Sequence, residues 1–155
     1  EFVPMIQEIL AETGLDASLL ALEITETVAM GNVNFVMETI EELKRIGVHI
    51  SIDDFGTGYS SLSYLKRFRV HTLKIDRSFI RDVTTDEDNA AIVTALIAIS
   101  QQMKMQSLAE GVETREQLEF LKEKGCHQVQ GYIFSEPLPA EQFESMLGKP
   151  IKPRE

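Results

Sequence analysis

Apolar residues recur along this chain in two rhythms, one helical and one alternating, separated by regular punctuation. Phe2 to Glu12 carries them at helical spacing and stops at Gly14, and Leu19 to Thr25 follows with the density expected of a buried strand. Asn32 or Asn34 caps a predicted helix through Arg45, with Val36, Ile40 and Leu43 on one face and Gly47 closing it. From Val48 the pattern alternates apolar and polar into two adjacent carboxylates, Asp53 and Asp54, then enters a loop of small residues from Gly56 to Ser61. Ser60 to Phe68 reads as a short helix, His71 to Asp76 as a strand, and Asp86 to Met103 as the longest helix, with Ile92, Leu96 and Ile99 facing inward. Met105 to Gly111 is again a strand. Thr114, with Gln117 three residues later, forms a capping-box pattern opening a helix through Leu118 and Leu121 to Gly125. His127 to Phe134 returns to extended structure, and a Pro137-Leu138-Pro139 turn leads to a last helix, Glu141 to Leu147.

Five strands alternating with helices predict an α/β fold with a parallel sheet, because parallel neighbours need a crossover that a helix supplies. An open doubly wound sheet and a (β/α) barrel fit the periodicity equally well. The polar residues favour the barrel. They gather where each strand ends: Glu23 and Glu26, Asp53 and Asp54, Lys74 and Asp76, Glu110 and Glu113, and Gln130. Such a floor is how barrel enzymes assemble a site from strand C-termini. Two adjacent carboxylates need a positive partner or a shared proton, and a divalent cation is the favoured answer at Asp53 and Asp54. Oxygen ligands without His or Cys suit Mg²⁺ or Mn²⁺ and disfavour zinc. Lys74 among them can hold a water, a phosphate or a developing charge, so the reaction class is metal-assisted attack of water on a phosphate ester.

Composition narrows the setting. The chain has 155 residues, 43% hydrophobic and 26% charged, which suits one globular domain. Its net charge of −10 argues against an open nucleic-acid surface. One cysteine, Cys126, excludes an internal disulfide and fits a reducing compartment. The apolar run from Ala90 to Ile99 is too short to span a bilayer and the N-terminus has no signal pattern, so a soluble cytoplasmic chain is expected. His49, His71 and His127 lack ligand spacing and read as structural, and Phe55, Tyr59, Tyr132 and Phe134 read as packing residues that could also stack on a base. Asp54-Phe55-Gly56 is not a kinase motif, since no Gly-rich loop or His-Arg-Asp precedes it.

Taken together, Leu22-Glu23-Ile24-Thr25-Glu26-Thr27, Asp53-Asp54-Phe55-Gly56-Thr57-Gly58-Tyr59-Ser60-Ser61-Leu62, Leu73-Lys74-Ile75-Asp76-Arg77-Ser78-Phe79, Ala109-Glu110-Gly111-Val112-Glu113-Thr114 and Gln130-Gly131-Tyr132-Ile133-Phe134-Ser135-Glu136-Pro137-Leu138 resemble the EAL-domain family of bacterial cyclic di-GMP phosphodiesterases. The resemblance implies a (β/α)8 TIM-barrel-like fold, here incomplete with about five βα units. It covers residues 1–148 as a truncated EAL domain and leaves 149–155 as a tail. It implies metal binding by Glu23, Asp53, Asp54 and Glu110, with Asp54 shared by two cations, Mg²⁺ or Mn²⁺. Lys74, Glu110 and Gln130 would be catalytic: Lys74 orients the attacking water, Glu110 ligates metal or accepts a proton, and Gln130 completes the polar floor. Glu26 would steady the Gly56 to Ser61 loop, while Glu113 and Asp76 would support that loop or meet substrate. The expected reaction opens one phosphodiester of cyclic di-GMP to give linear pGpG.

The family's Glu-Ala-Leu strand and the next strand, which bears an asparagine metal ligand, have no counterpart before Glu23. Weak or absent hydrolysis by the chain alone is therefore expected, with an exposed edge near Leu20 to Thr25 that pairs in a dimer. The resemblance also implies upstream sensory or GGDEF-type domains, through which a parent protein can be membrane-anchored. A non-catalytic cyclic di-GMP sensor and a dimerisation module acting through Gly56 to Leu62 are the alternative readings.

Overall fold

A computed structural model describes residues 1–56 and 62–154. In chain order it contains α1 (Phe2–Thr13), a 3-10 turn (Ala17–Leu19), β1 (Ala21–Thr25), α2 (Glu26–Gly31), α3 (Val33–Ile46), β2 (His49–Phe55), α4 (Leu62–Phe68) and β3 (Thr72–Ile75). It continues with α5 (Arg77–Arg81), α6 (Glu87–Gln102), β4 (Gln106–Glu110), α7 (Arg115–Glu123), β5 (Gln128–Gln130) and α8 (Ala140–Glu144). The local signals act as expected. Asn32 caps α3 by accepting the Phe35 N–H, Gly14 and Gly47 close α1 and α3 in left-handed conformation, and Thr114 and Gln117 form the reciprocal capping box of α7.

All strand pairs are parallel and their order is β1-β2-β3-β4-β5. That sequential order separates the two architectures that periodicity left open. A doubly wound sheet reverses direction at a switch point, whereas right-handed crossovers between successive neighbours put every helix on one face. The sheet is the sector of a (β/α) barrel. Alternation then gives each strand one apolar row, with Ile50, Ile52, Leu73, Ile75 and Ala109 almost fully buried. They form one core with Ile40 and Leu43 of α3, Leu65 and Phe68 of α4, Ile80 of α5, Val93 and Ile97 of α6 and Leu121 of α7. The other row is polar and carries Glu23, Asp53, Lys74 and Glu110.

Several expectations are corrected. The first strand is shorter than Leu19–Thr25 and is an edge strand, with Ala21 and Glu23 exposed. Two short helices, α2 and α5, were not anticipated because five or six residues show no clear period. In α6 the buried stripe is Val93, Leu96, Ile97 and Ser100, and Ile92 points outward at 39% exposure. The extended stretch expected over His127–Phe134 is a strand only for Gln128–Gln130, since the chain turns back at Gly131. The last helix ends at Glu144 rather than Leu147. The expected helix start at Ser60 and the proposed Gly56 to Leu62 dimer contact fall largely outside the described residues.

His49 and His71 stack with ring centroids 4.4 Å apart, at the N-terminal ends of β2 and β3. His71 Nδ1 accepts the Ile50 N–H at 2.9 Å, and His49 Nε2 bonds Thr72 Oγ1 at 2.9 Å. The structural reading of these residues thus has a concrete form, since both tie neighbouring strands together. Burial holds the His71 pKa below its ordinary 6.5, and the nearby His49 and Lys44 push it the same way. A depressed histidine pKa means the unfolded chain binds the proton first, so this stabilisation is complete above about 6.5 and declines as pH falls toward the folded value. Urea unfolding between pH 7.5 and 5 is expected to show that decline, and His71→Asn, which keeps an acceptor for Ile50 but does not titrate, should flatten it.

Candidate active site

β3 is the middle of the five strands among the described residues, and every residue of Thr72–Ile75 is buried. Its polar row therefore forces Lys74 inside, at 4% exposure. A buried ammonium requires partners. Lys74 Nζ donates to Glu23 Oε2 at 2.7 Å from β1, to Asp53 Oδ1 at 2.9 Å from β2 and to Glu110 Oε1 at 2.9 Å from β4. Burial works against the charge, but the hydrogen bonds to Glu23, Glu110 and Asp53 outweigh it and raise the Lys74 pKa above the ordinary lysine value. Four strands of sequence separation from 23 to 110 thus converge on one nitrogen.

How two adjacent residues can both serve this site is a matter of register. Side chains in a regular strand alternate between faces, so Asp53 and Asp54 should point apart. Between the pairs Ile52↔Leu73 and Phe55↔Ile75 the ladder shifts, leaving two residues of β2 opposite Lys74 alone. This is a β-bulge, and Asp54 adopts φ 55 there, in the left-handed region uncommon for non-glycine residues. The Asp54 N–H donates to Asp53 Oδ1 at 3.1 Å. Carboxylate oxygens of Asp53, Asp54 and Glu110 consequently lie within 4.8 Å of one another, close enough to share a cation.

The cluster carries four carboxylates against one ammonium. Glu110 registers the excess: burial raises its pKa, and although Lys74 pulls it down, the charges of Asp53 and Glu23 add to the rise. An all-oxygen donor set with surplus negative charge fits a hard divalent cation. Among the described residues, the carboxylates of Asp53, Asp54 and Glu110 lie close enough that they could hold one. Glu23, whose side chain is 51% exposed, reaches the cluster through Lys74 and is not a member of that trio.

The remaining expected residues take supporting positions. Glu26, 3% exposed at the start of α2, accepts the Gly56 N–H through Oε2 at 3.0 Å and so anchors the chain where it leaves the bulge. Asp76 caps α5 by accepting the Ser78 N–H at 2.9 Å; burial raises its pKa, but the bonds to Ser78 win and lower it. Glu113 belongs to the α7 capping region, where its N–H donates to Gln117 Oε1 at 2.8 Å. Neither joins the Lys74 cluster through a hydrogen bond among the described residues. Gln130 pairs with Glu110 in the ladder, and its carbonyl accepts the Val112 N–H at 3.1 Å. Gly131 makes that approach possible, because a Cβ there would run into the Val112 backbone. Gly131→Ala is expected to destabilise the chain by about 2–3 kcal/mol, measured by urea unfolding.

The sequence matches the family profile described as EAL domain over residues 1–137. The chain belongs to the EAL-domain family. Among curated relatives, the EAL chain is 46% identical over 145 residues to the cyclic di-GMP phosphodiesterase NbdA of Pseudomonas aeruginosa, covering 94% of this chain and 18% of that protein. Among solved structures, the PaMucR phosphodiesterase in complex with c-di-GMP is 47% identical with a TM-score of 0.87, covering 91% of this chain and 57% of that one. BlrP1 of Klebsiella pneumoniae, solved with manganese and c-di-GMP, is 32% identical with a TM-score of 0.81, covering 87% of this EAL chain and 34% of its own. This EAL chain spans 17–23% of the length of the curated relatives it matches. No helix among the described residues is long and apolar enough to cross a membrane.

Proposed function

We propose that this EAL chain carries the reaction centre of a cyclic di-GMP phosphodiesterase that opens one phosphodiester to give linear pGpG, with two divalent cations, Mg²⁺ or Mn²⁺. The observation that carries the proposal is the convergence of Glu23, Asp53 and Glu110 on buried Lys74 beside the Asp53-Asp54-Glu110 oxygen trio. Relatives named for this activity, and one neighbour holding both manganese and c-di-GMP, support the same substrate and metal class.

Asp53, Asp54 and Glu110 would hold a divalent cation that would supply positive charge for the phosphate and acidify water beside it. The chain's own residues do the rest. Asp53, Asp54, Glu110 and Glu23 form the acidic set that takes the cations. Lys74 fixes three of those carboxylates in one geometry and keeps a proton-donating ammonium at the centre, where it orients the attacking water. Glu110, whose proton affinity burial raises, is the group to accept a proton from that water. Gln130 extends the polar floor, Glu26 holds the start of the loop after the bulge, and Asp76 and Glu113 set the helices flanking the mouth. The domain occupies residues 1–148, with 149–155 as a tail whose Arg154 N–H returns to Ile133 O at 2.7 Å.

The test is calorimetric titration of cyclic di-GMP with Ca²⁺ present to slow turnover, followed by product analysis in Mn²⁺. Binding with pGpG formation supports the proposal. Binding without product would assign the chain to the non-catalytic sensors, and no binding would remove cyclic di-GMP as its ligand.

A further inference from the structure

The opposite end of the same strands holds a second feature that the phosphodiesterase reading does not use. A cavity of about 740 Å³ opens among the helix-to-strand turns that precede β2, β3 and β4, a size typical of small-molecule sites. Lys44, Lys66, Arg69 and Lys104 line it together with His49 and His71, and no carboxylate is among its described lining residues. In a chain of net charge −10, four cations around one cavity are a local reversal of sign. Its lining residues run from Lys44 to Gln106, all between β1 and β5 along the chain.

Basic residues near helix C-termini have an ordinary explanation, because they complement the helix dipole. That accounts for Lys44 and Lys66, each in the last turn of its helix. It does not account for Arg69 and Lys104. Both lie beyond their helices at φ 48 and φ 58, and with Asp54 they are the non-glycine residues of positive φ among those described. At the corresponding stops of α3 and α7 the chain uses Gly47 and Gly125, with φ 102 and 77. Left-handed backbone costs a residue with a side chain roughly 1 kcal/mol, which glycine avoids. Of the three strained residues, one serves the acidic site and two carry cations into this cavity. Strain that persists in this way marks functional positions.

Most of this positive charge is unspent. Lys44 Nζ bonds Glu41 Oε1 at 3.4 Å and the Arg69 carbonyl at 3.1 Å, which fixes the turn bearing Arg69, whereas Lys66, Arg69 and Lys104 form no ion pair among the described residues. The depressed His71 pKa, caused by burial and then by His49 and Lys44, accords with an electropositive pocket. We infer that this cavity binds a small molecule bearing a di- or triphosphate group, separate from the acidic site at the other end of the strands. A guanidinium presents paired donors to phosphate oxygens, and the lysines supply additional point charges suited to a multiply charged anion.

The test uses inorganic pyrophosphate and ATP, each titrated calorimetrically into the chain in EDTA, so that no metal mediates binding at the acidic site. Arg69→Gly and Lys104→Gly remove a cation while relieving positive φ, and each is expected to weaken pyrophosphate about tenfold with thermal stability kept or raised. Lys66→Gln, on an exposed helical face, should weaken it without touching a turn. Lys149→Gln, which removes the same charge outside the cavity, should leave it unchanged. Equal affinity for both probes would identify the phosphate chain itself as the ligand, and tighter ATP binding a nucleotide. Absence of heat with either probe, or equal weakening by the Lys149 variant, would overturn the inference.

Discussion

Lys74→Met is expected to abolish whatever pGpG formation the proposed phosphodiesterase centre supports and to lower stability at neutral pH by about 3 kcal/mol, toward the lower end for a broken buried ion pair. The reason is the partners it leaves behind. Glu23, Asp53 and Glu110 all accept from the same nitrogen at 2.7–2.9 Å, and without it three carboxylates face one another across the centre of the sheet. The side chains of Asp53 and Glu110 are only 21% and 19% exposed, so water cannot fully replace the ammonium. The sign of the recovery follows. In the variant Glu110, whose pKa burial already raises, loses the ammonium that pulls it down, so the folded state takes up its proton before the unfolded state and the stability difference from wild type shrinks as pH falls from 7 toward 5. Mn²⁺ should likewise restore stability to the variant without restoring turnover. If the variant keeps full turnover, Lys74 has no catalytic role.

Asp54→Gly is expected to remove activity while largely sparing stability. Glycine relieves the φ 55 strain at the bulge, which offsets the extra freedom it gives the unfolded chain, so stability in urea unfolding should change by less than about 1 kcal/mol. It also removes one of the three carboxylates that approach within 4.8 Å, so Mn²⁺ affinity should fall at least tenfold and turnover should be lost. Asp54→Asn keeps the volume and removes only the charge, so it should lose turnover with little change in stability. A chain that lost more stability than this on Asp54→Gly would show that the bulge is held by the aspartate for folding and not for metal.

Much of this site was legible in the residues. Alternation placed Asp53, Lys74 and Glu110 on strands, their recurrence at successive strand ends indicated one floor, and the absence of His and Cys disfavoured a zinc set. The geometry that makes the floor work was not legible. A strict period of two sends Asp53 and Asp54 to opposite faces, and only the two-against-one register opposite Lys74 reunites them. That register depends on tertiary pairing, which local pattern does not carry. The hub role of Lys74 was missed for a similar reason, since its burial comes from the position of β3 in the middle of the sheet. Ile92 was placed inward because three apolar residues fit a helical stripe, whereas the long apolar run of α6 offers several stripes and the adjacent one at Val93 packs. The basic cavity had no sequence signal, because Lys44 ends a helix, Arg69 and Lys104 follow two others, and only the packing of three helix-to-strand connections brings them together.

The most direct test of the central claim is a Mn²⁺ titration followed by electron paramagnetic resonance, comparing the chain with Asp53→Asn. The account predicts that the chain depletes the free-ion signal and that the variant loses most of that capacity, because Asp53 both bonds Lys74 and belongs to the oxygen trio. An unchanged titration in Asp53→Asn, or no uptake by the chain itself, would contradict the claim that the carboxylates around Lys74 form a metal centre.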